Sequence, residues 1–140
     1  MLITKRNEYA LQMAAILARE KGMLSASSLA GLLRTSPAFI SKIAQQLVRA
    51  GIMRSRRGKG GGLRLARRPY EILVRDIFQA VDGPLYLSAC LQKGRCRHLR
   101  CPLYPVLRDL QAELDRRLGR AKLSDLTRRS FHEENDSGDR

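Results

Sequence analysis

The sequence predicts a mainly α chain: a winged helix-turn-helix with a small β-hairpin wing and a long C-terminal dimerisation helix. Three observations carry that expectation. Two helical segments meet at the break Thr35-Ser36-Pro37, and the second is rich in polar residues. A basic, glycine-rich tip, RRGKGGG, separates two short strand-like segments. Near the C-terminus a leucine stripe recurs at almost coiled-coil spacing.

Composition bounds the class. The 140 residues suffice for one compact domain, and 44% hydrophobic content allows a real core. No apolar run reaches the ~18 residues of a membrane span, and the start MLITKRNEYAL lacks the apolar segment of a secretory signal. The formal net charge is +14 and unevenly placed. Residues 1–70 carry 14 basic and 2 acidic side chains; residues 71–140 carry 13 and 11. An arginine-rich composition alone would spread the charge evenly. A basic half beside a nearly balanced half is the electrostatic footprint of a nucleic-acid-binding unit.

The elements follow in order. Asn7 to Lys21 reads as a first helix, capped by Asn7, with Ala10, Met13, Ala14, Leu17 and Ala18 on one face. A short second helix, SLAGLLR, starts from Ser25 or Ser27. Ser36 and Pro37 open the third, which runs to about Ala50 before Gly51. Its Ile40, Ile43, Ala44, Leu47 and Val48 recur at helical spacing and face inward. Ala38, Ser41, Lys42, Gln45 and Arg49 take the opposite side, with types that bond base edges or phosphates. A plain solvated helix would look similar in isolation; the basic stretch that follows favours recognition. Ile52-Met53 and Leu63-Arg64-Leu65-Ala66 flank the glycine tip as a hairpin, whose Arg56, Arg57 and Lys59 supply charge. GKGGG is no phosphate-binding P-loop, because neither its spacing nor a following helix fits. A fourth helix spans about Leu73 to Val81. A fifth runs from Pro102 or Leu103 to Leu118 with Leu103, Leu107, Leu110, Leu114 and Leu118 as its stripe, read as a dimerisation face. A short last helix, Ser124 to Arg129, precedes a polar tail read as disordered. The expected units are therefore 1–82 for DNA binding, 83–101 for a cysteine loop, 102–130 for dimerisation and the short last helix, and 131–140 for the tail.

Cys90, Cys96 and Cys101 are the three cysteines, all within twelve residues. An odd count fits a reducing cytoplasm, the expected location, better than a disulfide scaffold. Thiolate is the form that binds metal, and basic surroundings favour it. Three thiols on a polar loop suit an iron–sulfur cluster or a zinc ion, and spacing alone leaves both open. Reactive surface thiols or one transient disulfide are the plainer alternative. No Ser/His/Asp set, paired carboxylates or nucleotide loop points to an enzyme.

Several motifs occur in order: LITKRNEYA, SPAFISKIAQQL, RGKGGGLRL, DIFQAVDG and the three-cysteine loop. Together they resemble the Rrf-two-type winged-helix regulators, the family of the iron–sulfur regulators IscR and NsrR, over the chain to about Leu126. The resemblance implies a homodimer on a palindromic double-stranded DNA operator, with a [2Fe-2S] or [4Fe-4S] cluster biasing DNA binding. It places Ser36, Ala38, Phe39, Lys42 and Gln45 on the recognition helix, with Ser41 on the same exposed side. It places Arg57, Gly58 and Lys59, with Gly60 beside them, at the wing tip. One branch completes its cluster with a histidine three residues after the last cysteine, where this chain has Tyr104. Another uses a carboxylate near the N-terminus of the other subunit. Glu8 occupies that region and is the first choice for a fourth ligand, ahead of an external small thiol and His98. The expected function is sequence-specific transcription regulation that senses redox, nitric oxide or iron status. The competing expectation is a constitutive nucleic-acid-binding module whose cysteines are incidental or bind zinc.

Overall fold

A computed structural model describes residues 3–92 and 101–128. Helix α1 spans Lys5–Arg19 and begins earlier than its apolar pattern predicts. Thr4, not Asn7, is its cap: the Thr4 hydroxyl accepts a hydrogen bond from the Asn7 backbone N–H at 3.2 Å. Asn7 is instead fully buried, and neither polar atom of its side chain has a partner among the described residues.

Helix α2, Ala26–Leu32, is capped by Ser25, and α3, Pro37–Arg49, by Ser36. The turn between them carries Arg34 at φ 51°, a left-handed residue that lets Thr35 N–H reach Ala30 O at 3.0 Å. Strands β1 (Met53–Arg56) and β2 (Gly62–Leu65) form an antiparallel hairpin in the register Met53 to Leu65, Arg54 to Arg64, Ser55 to Leu63 and Arg56 to Gly62. The hairpin is tied to the α1–α2 connection, where Leu24 and Leu63 exchange two backbone hydrogen bonds of 3.0 and 2.7 Å. At Gly62 φ is +138°, and a Cβ there would lie 2.5 Å from Leu24 O. No residue but glycine fits that contact.

Helix α4 is Val74–Asp82, α5 is Tyr104–Leu118 and α6 is Leu123–Arg128. Sequence placed the start of α6 one residue later; its end at Arg129, like the tail at 131–140, lies outside the described residues. One hydrophobic core joins α1, α2, α3, the hairpin and α4 through Met13, Leu29, Ile43, Ile52 and Ile77. Leu123 of α6 is fully buried in the same core, and its N–H donates to Ile72 O at 2.9 Å. The chain after α5 therefore returns to the first unit. Among the described residues no helix is long and apolar enough to cross a membrane.

Candidate DNA-binding surface and cysteine segment

Amphipathic α3 sets one side of the surface. Ile40, Ile43, Ala44 and Leu47 are buried, which turns Ala38, Lys42, Gln45 and Arg49 outward. Ser41 is half-buried and lines a cleft with Gln45, Arg49, Ser55 and Arg57, between α3 and the wing. Ser36 is exposed, but its hydroxyl accepts from Phe39 N–H at 3.2 Å and holds the helix start. Phe39 differs from the others expected on this surface. Its ring meets Tyr9 edge-on, with centroids 5.4 Å apart at 87°, and packs against the core. Its part is to seat α3 on α1.

The wing tip is exposed from Arg56 to Gly60. Gly58 and Gly60 have positive φ, Gly61 N–H donates to Gly58 O at 3.0 Å, and the Arg56 guanidinium donates to Gly60 O at 3.2 Å. Among the described residues Lys42, Arg57 and Lys59 have no carboxylate partner. The surface thus combines a polar helix face with uncompensated cations on a thin backbone loop.

Two polar clusters lay outside the sequence reading. In the first, Val81 O at the end of α4 accepts from Gln46 Nε2 at 3.0 Å and from Arg6 Nη2 at 3.4 Å. Arg6 also donates to Gln46 Oε1 at 2.5 Å and pairs with Asp82 at 3.2 Å, and the Thr4 hydroxyl donates to Asp82. In the second, Gln111 is the one buried residue of α5. Its Oε1 accepts from Leu87 N–H at 2.8 Å, and its Nε2 donates to Leu85 O at 2.9 Å and to Asp115 at 3.0 Å. Glutamine inside a leucine-rich helix gives no periodic signal, and its two backbone partners are over twenty residues away. Nothing in the sequence alone could have found it.

Of the cysteines, Cys90 and Cys101 are free, half-buried thiols. The Cys90 thiol lies 3.2 Å from the Ser88 hydroxyl as its donor. Cys96 and His98 fall outside the described residues. Glu8 is exposed and pairs with Lys5 at 2.8 Å. That contact holds the Lys5 ammonium above its ordinary pKa, through hydrogen bonding first and charge second.

A helix-turn-helix with a wing, basic on its open side, defines the winged-helix class of transcriptional regulators. The family described as Rrf2, iron-dependent transcriptional regulator, matches residues 3–129, and the chain belongs to it. It is 31% identical over 110 residues to the HTH-type transcriptional regulator NsrR of Geobacillus kaustophilus, covering 77% of this chain and 73% of that one. It is 28% identical over 129 residues to the HTH-type regulator IscR of Aliivibrio salmonicida, covering 90% and 77%. The solved structure of CymR, the global cysteine regulator of B. subtilis, superposes with a TM-score of 0.77 at 24% identity, over 93% of this chain and 98% of that one. At that identity the likeness is one of fold.

Proposed function

We propose that this chain is a homodimeric, sequence-specific DNA-binding regulator that reports redox, nitric oxide or iron status through a cysteine-held iron–sulfur cluster. The observation that carries the DNA-binding part is the cleft shared by α3 and the wing, with unpaired cations at its open edge. Ala38, Ser41, Lys42 and Gln45 read base edges in the major groove. Ser36 and Phe39 hold that helix in place. Arg57 and Lys59 contact phosphates or the minor groove, and Gly58 and Gly60 let the tip lie close.

The exposed face of α5 supports the dimer. Leu103, Val106 and Leu110 are 55%, 54% and 53% exposed. Apolar neighbours one helical turn apart are normally covered. The units proposed are 1–82 for DNA, 83–101 for the cluster and 102–130 for self-association, with α6 packed back on the first.

The donor chemistry fits a cluster: Cys90 and Cys101 are free, half-buried sulfurs at the two ends of a short segment, with Cys96 between them. The cluster would supply a reactive iron corner that responds to oxygen or nitric oxide. Glu8 would release Lys5 to fill the fourth position across the dimer. Anaerobic absorbance and iron content test the sensor. Brown protein that loses its colour in Cys96→Ala is expected; colourless, iron-free protein that still binds DNA would establish the constitutive alternative. For the DNA surface, Lys59→Ala is expected to lower the salt slope by about 1 without changing base preference, while Gln45→Ala relaxes preference at one position.

A further inference from the structure

The wing has a second face that the cleft beside α3 does not use. In the hairpin register Arg54 stands directly opposite Arg64. Directly opposed residues share a face, with Cβ atoms about 5 Å apart. Alternation sends Met53, Ser55, Leu63 and Leu65 to the other face, where Met53 and Leu63 are buried in the core. The two arginines therefore sit side by side on the outer surface, both exposed. Like charges directly opposed destabilise a ladder.

Just past β2, Arg67 and Arg68 are also exposed, and they line the same shallow groove as Arg54 and Arg64. Glu71 is the one carboxylate lining that groove, and its Oε2 accepts the Arg68 backbone N–H at 3.0 Å. The Arg68 guanidinium donates to the Tyr70 hydroxyl at 2.9 Å, which fixes its direction. Among the described residues Arg54, Arg64 and Arg67 have no ion pair. Four cations are thus gathered beside one acid on a structured surface. A polyanion compensates such a cluster; a single carboxylate leaves most of it uncompensated.

We propose that this outer arginine groove binds the phosphate backbone of duplex DNA flanking the segment held by α3 and the wing tip. The proposal rests on the DNA-binding reading above. Geometry sets its reach. At about 3.3 Å per strand residue, the stripe from the wing tip to Arg67 extends on the order of 15 Å. That length matches roughly four base pairs at about 3.4 Å each. The flank follows the outer face past the wing tip, so the duplex bends toward the protein there, and the flank is read by its ease of bending and not by its base edges.

The test uses the full chain and a site selected from random duplex DNA. The selected site is made at two lengths: ending at its consensus, and extended by about six base pairs of unrelated sequence on each side. With wild-type protein, extension should tighten binding and steepen the salt slope by about 2 per wing, as two released counterions each contribute about 0.9. The double variant Arg54→Ala/Arg64→Ala should bind the short duplex as wild type does and gain nothing from extension. Arg64→Glu places a carboxylate opposite Arg54, so its melting temperature should hold or rise while the effect of extension disappears. Equal wild-type slopes on both lengths, or equal weakening of both by the double variant, would overturn the outer groove and leave the DNA-binding reading standing. A selection that returns no common sequence would overturn that reading and the groove with it.

Discussion

Helices α3 and α5 are of similar length and are stabilised in different ways. The thirteen residues of α3 start from a bonded Ser36 cap and bury four apolar side chains. The fifteen of α5 have no side-chain cap and bury a single residue, the polar Gln111. Three of its large apolar side chains face outward, and Glu113 bonds with Arg116 and Arg117 one turn on. The lesson concerns where a helix gets its stability. Surface ion pairs contribute little, so tertiary burial must supply the rest. For α3 that burial lies within the protomer. For α5 the protomer buries only Gln111, and Val106 and Leu110 stay more than half exposed, which is the observation behind the dimer proposed above.

The contrast is broken most severely in the core. Ile43→Ala should lower stability by about 2–5 kcal/mol, seen as a large drop in thermal midpoint, because a fully buried side chain leaves a cavity. Leu110→Glu should leave the protomer's fold intact and abolish the proposed self-association in sedimentation, since Leu110 is 53% exposed in its own chain. If both variants lost stability alike, α5 would belong to the protomer core. A more local effect comes from Gln111→Leu. It strips partners from Leu87 N–H and Leu85 O, and should cost about 1–3 kcal/mol. Hydrogen exchange at the Leu87 amide should speed up before exchange in α3 does. Smaller again is Ser36→Ala, at about 1 kcal/mol for one lost cap, read by chemical denaturation.

The mildest test is pH. The Arg117 hydrogen bond, with the Arg116 and Arg117 charges, holds the Glu113 carboxyl below its ordinary pKa. Its stabilisation is therefore present above the unfolded carboxyl's pKa and is lost as pH falls through the lower folded value. Because the Glu113 pairs lie at the solvent-exposed surface, where such pairs contribute little, helicity should decline only slightly on acidification, and Glu113→Gln should remove that decline.

Local chemistry made most of the fold legible in the sequence. Ser36-Pro37 marks a helix start, glycines mark a hairpin tip, and Ile40, Ile43 and Leu47 mark an inward face, because each signal acts over a few residues. The start of α1 was misplaced because the cap is Thr4, six residues before the apolar period begins at Ala10. Phe39 fell on the expected recognition helix by position, yet its ring turns inward toward Tyr9, a partner thirty residues away. The leucine stripe divides: Leu118 packs against the core, while Leu103 and Leu110 are exposed together with Val106. Gln111, Arg6 and Gln46 were invisible because their partners are distant in sequence and polar contacts have no period. The directly opposed arginines became visible only with the strand register.

The contacts around the Val81 carbonyl, in the last turn of α4, have a mechanical consequence. Val81 O receives side chains from both α1 and α3, and Asp82 beside it holds Arg6 and Thr4. Gly83, with φ 78°, follows at once and opens the segment that leads to Cys90. A pull arriving along that segment meets stiffness at Asp82 and compliance at Gly83. A displacement that lifts Val81 O breaks the bonds from Arg6 and Gln46 together, while Ile43 and Leu47 still seat α3 in the core. The junction therefore ties the end of α4 to α1 and α3 at a single carbonyl, immediately before the backbone turns at Gly83.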